Sequence, residues 1–175
     1  MRNTTARIAD QIDRITAAIG RIATWCSFYV VMAEFAVVVL RYALGFGSIR
    51  LQESVLYAHA GLFMLAAAWT LQINGHVRVD IFYTRGTERT RAAVDLLGAV
   101  VFLLPFAAVL FALTLPYVER SWRIFEGSPQ PSGVPFVYLL KTVILVFAAL
   151  IGLQGVAQAI RAALILSARS RQPSR

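Results

Sequence analysis

Four runs of apolar residues, each near or above twenty residues long, constrain this chain more than any other feature. They cover about residues 22–44, 52–74, 92–118 and 134–160. A hydrocarbon layer about 30 Å thick needs roughly 20 apolar helical residues to cross it, because a helix rises about 1.5 Å per residue. A helix satisfies its own backbone groups in lipid. A closed barrel would instead show strands of about ten alternating residues, a pattern absent here. The expected fold class is therefore an all-α membrane protein. It has four transmembrane helices and an N-terminal amphipathic interfacial helix over residues 1–21, in a single membrane domain of residues 1–175. A hydrophobic share of 58% and a mean hydropathy of +0.66 agree with this, since soluble domains sit near half apolar and break their apolar residues into short runs.

The formal charge of +8 is carried almost wholly by arginine; Lys141 is the one lysine. The arginines flank the spans, so the charge reads as membrane topology and not as a nucleic-acid surface. Arg2, Arg7, Arg14, Arg21, Arg78, Arg85, Arg89, Arg91, Arg161, Arg169, Arg171 and Arg175 fall on one side of such a bundle, and Arg41, Arg50, Arg120 and Arg123 on the other. Basic residues collect on the cytoplasmic side, which predicts a multi-pass inner-membrane protein with both termini in the cytoplasm.

Several chemistries are excluded. Cys26 stands alone, so no intrachain disulfide can form. With only His59 and His76 beside it, no zinc set can be assembled. No glycine-rich phosphate loop is present, and no stretch suggests a soluble catalytic domain. No catalytic residue, cofactor or metal is expected.

Taken in order, residues 1–21 carry Ile8, Ile12, Ile15, Ile19 and Ile22 on one helical stripe, with Arg7, Arg14 and Arg21 turned away from it. That pattern suits a helix lying in the membrane interface. Asp10 and Asp13, and the long apolar run that follows, argue against a signal peptide. The first span carries Glu34 near its centre, with Arg41 two turns further on the same face. A carboxylate there needs a partner, and His59 of an antiparallel second span is a candidate. Ala60, Gly61, Ala67 and Ala68 give the second span a small-residue stripe for close helix packing. In the third span Asp95 is expected in the first turn and Pro105 to kink the helix. Trp122 and Phe125 suit an interfacial loop, Lys141 is expected to snorkel outward, and 161–175 to form a basic cytoplasmic tail, disordered beyond about Ser167.

The polar residues admit more than one reading. Glu34 could be a proton or cation site of a stand-alone exporter, or a structural carboxylate satisfied by His59 or Arg41. His59 and His76 lie on one span, seventeen residues apart, a geometry that disfavours axial haem ligation. His76, Arg78 and Asp80 alternate with Val77 and Val79, as in an extended segment with one polar face. An Arg78–Asp80 ion pair closing the loop and a partner-docking surface are both open. The stretch from Arg50 to Tyr83 is expected to organise the rest of the chain.

The run LQESVLYAHAGLFMLAAAWTLQINGHVRVDIFY resembles the small membrane subunit of tripartite ATP-independent periplasmic (TRAP) transporters, the DctQ-like family. Glu53 and the block His76 to Asp80 match its pattern. Ser121, Glu126 and Ser128 ahead of Gly133 and Pro135 match too, as does Lys141 in the last span. The likeness covers about residues 15–160. The HVRVD block argues against the small subunit of the tricarboxylate tripartite family. The resemblance implies a scaffold subunit in the bilayer, paired with a large multi-span permease as a heterodimer and served by a periplasmic substrate-binding protein. It implies import of an organic acid anion, a carboxylate or oxo acid, on an ion gradient. Glu53, His76, Arg78, Asp80, Ser121, Glu126 and Lys141 would then be subunit-contact or fold-locking residues, and Glu34 and His59 intramembrane polar groups.

Overall fold

Each apolar run forms a helix in the computed structural model, which describes residues 2–77 and 86–169. The elements are α1 (Arg2–Ala43), α2 (Ile49–Gln72), α3 (Glu88–Leu97), α4 (Leu104–Arg123) and α5 (Val137–Arg169). A π-helical turn, Gly98–Leu103, joins α3 to α4. Four rods result, each long and apolar enough to cross a membrane. The chain is all-α with four candidate membrane spans.

The expected break between an interfacial helix and the first span is absent. α1 is one helix of 42 residues. Nothing between Arg14 and Thr24 is a proline, and Gly20 is packed rather than hinged, so the helical ladder has no reason to open. The isoleucine stripe divides accordingly. Ile12 is buried with Ala9 against Ala157 of α5, while Ile8, Ile15 and Ile22 are exposed.

α5 is the hub. It packs against α1, α2, α3 and α4, whereas α1 touches only α2 and α5. A third of the apolar window of α5 is buried, against 11% in the other three rods, so its mostly apolar sequence faces helices on several sides. The expectation that residues 50–83 organise the bundle gives way to this arrangement.

α1 and α2 run antiparallel in close contact. A Cβ on Gly20 would lie 2.5 Å from the Trp69 Cβ, and one on Gly61 would lie 3.8 Å from the Cys26 sulfur. Gly61 and Ala68, seven residues apart, are the buried members of the small-residue stripe. Gly20→Ala should therefore push the two helices apart. We expect a loss of about 1–3 kcal/mol, the usual cost of overpacking, read as a lower melting temperature in detergent. An unchanged melting curve would show that Trp69 can move aside.

Two helix ends share one device. In α2, Asn74 takes a positive φ of 56°, Gly75 N–H bonds to the Thr70 carbonyl at 2.8 Å and Asn74 N–H to that of Leu71 at 3.1 Å. In α4, Phe125 takes φ 45°, Glu126 N–H bonds to the Ser121 carbonyl at 3.0 Å and Phe125 N–H to that of Trp122 at 3.2 Å. Both are Schellman closures, which satisfy carbonyls the helix end leaves free. Asparagine tolerates the left-handed region, but phenylalanine there is strained. The Phe125 ring packs edge-on to Tyr138, 5.7 Å away, which offsets part of that strain.

Pro105 acts differently from a simple kink. It follows the π-helical turn directly, and Leu104 N–H reaches back five residues to the Ala99 carbonyl. A proline ring clashes with the carbonyl four residues before it, and the wider turn relieves that clash. The N-terminus of α3 is set by Thr87, whose side chain accepts from Thr90 N–H at 3.3 Å. Glu88 occupies the first turn, and Asp95 stands two turns in. The last helix runs to Arg169, so residues 161–169 are helical rather than a loose tail.

Candidate functional site

The motif residues gather at the end of the bundle where α1 meets α2 and α4 meets α5, in two polar clasps. In the first, the loop 128–134 closes on itself by Ser128 N–H to the Val134 carbonyl at 3.1 Å. Glu53, in the second turn of α2, reaches into the stem of this loop. One carboxylate oxygen accepts from the Ser128 hydroxyl and the other from Val134 N–H at 2.6 Å. Arg50, one turn earlier, donates from Nε to the Ser132 carbonyl at 3.0 Å. Gly133 makes room for this approach. A Cβ there would stand 2.4 Å from Ser128 Oγ and 2.8 Å from Glu53 Oε2.

The second clasp ties α4 to α5. The Schellman closure at Phe125 turns Glu126 back over its own helix end. Its Oε2 accepts from the buried Ser121 hydroxyl at 2.6 Å and from Lys141 Nζ at 2.5 Å. Lys141 also lies over the Tyr117 ring, 4.1 Å from its centroid. The expectation that Lys141 snorkels to the headgroups is corrected: its ammonium is taken up by Glu126 and Tyr117. Beside it Trp122 Nε1 donates to the Thr142 hydroxyl at 2.8 Å, and the Trp122 ring meets Tyr138 at 4.6 Å.

The Lys141 hydrogen bond first, and then the Ser121 hydroxyl, hold the Glu126 carboxyl below the usual carboxylate range. Its folded value thus lies under its unfolded value of about 4.3. The stability it contributes is whole above that pH and is lost as pH falls through the folded value. Glu126→Gln should lower the melting temperature in detergent at pH 7, and the gap between the two proteins should narrow as pH falls below the unfolded value and close once it passes the folded one. A gap that persists undiminished at low pH would show that the ionised clasp is not its source.

The remaining sequence candidates are not part of these clasps. His76 is exposed at the end of α2; Arg78 and Asp80, with any pair they make, lie outside the described residues. His59 is exposed and stacks on Phe63 at 4.6 Å. Glu34 is exposed and makes no hydrogen bond or ion pair among the described residues. The expected Glu34–His59 pair does not form, and the helix register explains why. Cys26 stands opposite Gly61, and Tyr29 bonds to Ser54 at 2.7 Å. Glu34 therefore lies beside the opening turns of α2, roughly 9 Å along the axis from the level of His59. Arg41 makes no pair with Glu34 either.

A third polar cluster, missed in the sequence, holds the opposite end. Gln154 of α5 is fully buried. Its carbonyl oxygen accepts from the Thr16 hydroxyl at 2.9 Å and its amide nitrogen donates to Asp13 at 3.0 Å. Arg161 pairs with Asp13 and, at 3.1 Å, with Asp10. Gln158 donates to the Leu71 carbonyl at 3.3 Å. A signal was available: Gln154, Gln158 and Arg161 recur at helical spacing on one face of an apolar span, and such residues face the bundle interior. Beside this cluster a groove of about 290 Å³ opens between α2, α3 and α5. Among the described residues no group of three His, Cys, Asp or Glu side chains could hold a metal ion. The polar groups of all three clusters serve each other, across helices and loops.

A family model described as tripartite ATP-independent periplasmic transporters, DctQ component, matches residues 15–164, well over half of the chain. No curated protein and no solved structure matches.

Proposed function

Since the chain belongs to the DctQ component family of tripartite ATP-independent periplasmic transporters, we propose that it is the static scaffold of its transporter, pairing with a large multi-span permease as a heterodimer. The small permease subunit of such a transporter is a multi-pass membrane protein and not an enzyme. That membership displaces the stand-alone exporter built on Glu34. In this reading the large partner carries the substrate and ion sites, and a periplasmic binding protein delivers an organic acid anion, a carboxylate or oxo acid, for uptake on an ion gradient. The observation that carries it is the family match over residues 15–164. The internal use of the three polar clusters among the described residues supports it, because a scaffold needs rigidity rather than a site.

The clasps of Glu53 and of Glu126 with Ser121 and Lys141 then act as fold locks, keeping the loop 124–136 in one shape. His76, Arg78 and Asp80 remain candidates for contact with the partner. Both termini face the cytoplasm in this reading, supported by the arginine distribution and by the Asp10–Arg161 pair, which brings α1 and α5 together at one end. The opposite loop then faces the binding protein. Arg120 and Arg123 are exposed there, whereas Glu126 is engaged internally, so the informative docking variants are at the arginines.

The test is co-purification in mild detergent of this chain, tagged, with its neighbouring genes co-expressed, followed by uptake in proteoliposomes. A permease recovered one to one, with uptake of a carboxylate that needs both chains, the binding protein and an ion gradient, is the expected result. Uptake or export by this chain alone would overturn it.

A further inference from the structure

Among the described residues, the Tyr57 hydroxyl is the one buried side-chain polar group with no hydrogen-bond partner in the chain. Burying a hydroxyl without a partner is costly, and folded proteins pair nearly all such groups with protein or with ordered water.

The position of Tyr57 says where its partner lies. It follows Glu53 by four residues, so the two share one face of α2, about 6 Å apart along the axis. Long side chains on a helix lean back toward its N-terminus, over the preceding turn. The Tyr57 ring therefore runs from its own turn toward the level of Glu53. The Glu53 charge acts on the Tyr57 hydroxyl, so the two groups are close, yet no direct hydrogen bond joins them.

Glu53 has acceptor capacity left over. A carboxylate offers about four lone-pair sites. Glu53 uses one on the Ser128 hydroxyl and one on Val134 N–H. Other polar side chains at this end are already engaged: Lys141 with Glu126 and Tyr117, and Ser54 with Tyr29. Glu53 is half-buried at the loop end of the bundle, whereas the tyrosine hydroxyl behind it is closed to solvent.

We propose that an internal water molecule binds between Tyr57 and Glu53, accepting from the tyrosine hydroxyl and donating to the carboxylate. A buried water needs polar partners on more than one side, and these two residues supply a donor and an acceptor. Tyr57 then belongs to the first clasp and acts on it through the water. The loop 128–134 is anchored by Glu53 to the second turn of α2 and, through the water, to a ring one turn deeper. The site is independent of the chain's role in transport.

The test compares thermal melting in detergent of Tyr57→Phe, Glu53→Ala and the double variant with the wild-type chain. Phenylalanine keeps the ring and deletes the hydroxyl. A buried hydroxyl with no partner is lost at no cost or with a gain, whereas one bridged to a carboxylate is missed. Tyr57→Phe should lower the melting temperature by about 2–4 °C. In the Glu53→Ala background it should cost less or nothing, because the water has lost its acceptor. An unchanged or raised melting temperature with Tyr57→Phe overturns the site, as does an equal loss in both backgrounds. A high-resolution density map of the wild-type protein needs no variant to fold. It should show a peak about 2.7–3.0 Å from both Tyr57 Oη and a Glu53 oxygen. Absence of that peak, or a hydroxyl bonded directly to Glu53 or to a backbone carbonyl, overturns the site. Exchange of sodium for potassium or choline should leave the effect of Tyr57→Phe unchanged. Dependence on the cation would assign the peak to a bound ion and overturn the water.

Discussion

Gly133→Ala should detach the loop 128–134 from α2. The added methyl would stand within 2.8 Å of both Ser128 Oγ and Glu53 Oε2. Neither can yield without disturbing a hydrogen bond of the clasp, since Ser128 Oγ donates to Glu53 Oε1 and Glu53 Oε2 accepts from Val134 N–H. Ser128 is also held by its backbone to Val134, so the stem of the loop has little slack. We expect a loss of about 1–3 kcal/mol, toward the upper part of that range, measured as a lower melting temperature in detergent. Ser128→Gly removes the nearest clash along with the hydroxyl. It should therefore cost less in the Gly133→Ala background than alone, a coupling that a double-mutant cycle reads directly. Strict additivity would show that the methyl and the Ser128 hydroxyl do not compete for one space. A Gly133→Ala chain with wild-type stability would remove the first clasp as a structural lock.

Gln154→Leu should open the opposite end. Gln154 is fully buried and its amide serves Thr16 on one side and Asp13 on the other. Leucine is of similar size but removes two hydrogen bonds, while the Thr16 hydroxyl keeps the Ile12 carbonyl at 3.1 Å and Asp13 keeps Arg161. A net contribution of about 0.5–1.5 kcal/mol per hydrogen bond sets the expected loss at about 1–3 kcal/mol, read as a lower melting temperature in detergent. The double change Thr16→Val with Gln154→Leu removes donor and acceptor together and should recover part of the loss, with Asp13 still paired to Arg161. Asp10 offers the contrast. Its side chain is 61% exposed, so Asp10→Ala should cost under about 1 kcal/mol although it also breaks an ion pair. Equal effects of Gln154→Leu and Asp10→Ala would show that burial does not set the energetics here.

The residues that proved informative differ in how far the sequence alone could reveal them. Glu53, Ser121, Glu126, Ser128, Gly133 and Lys141 were legible as a pattern. Their division into two clasps was not, because Glu53 and Ser128 are 75 residues apart and meet only when α2 and α5 pack. The asymmetry of α1 was legible as five isoleucines and three arginines. Its continuity through Gly20 was not, since that depends on Trp69 filling the space beside the glycine. The pairing of Glu34 with His59 failed on axial register, which the small-residue contact at Gly61 sets and composition does not.

By itself, the sequence determined the number of long apolar segments and their helical state. Those follow from local rules: backbone groups in lipid must bond within their own segment, and prolines and polar turns mark where segments stop. Tertiary structure alone decided which helix is central, which polar residues share a partner and which charge is left facing outward. In a membrane every span is apolar on all sides, so hydrophobicity cannot mark the inward face. Close contacts and hydrogen bonds between helices choose it instead, and these exist only once the helices are side by side.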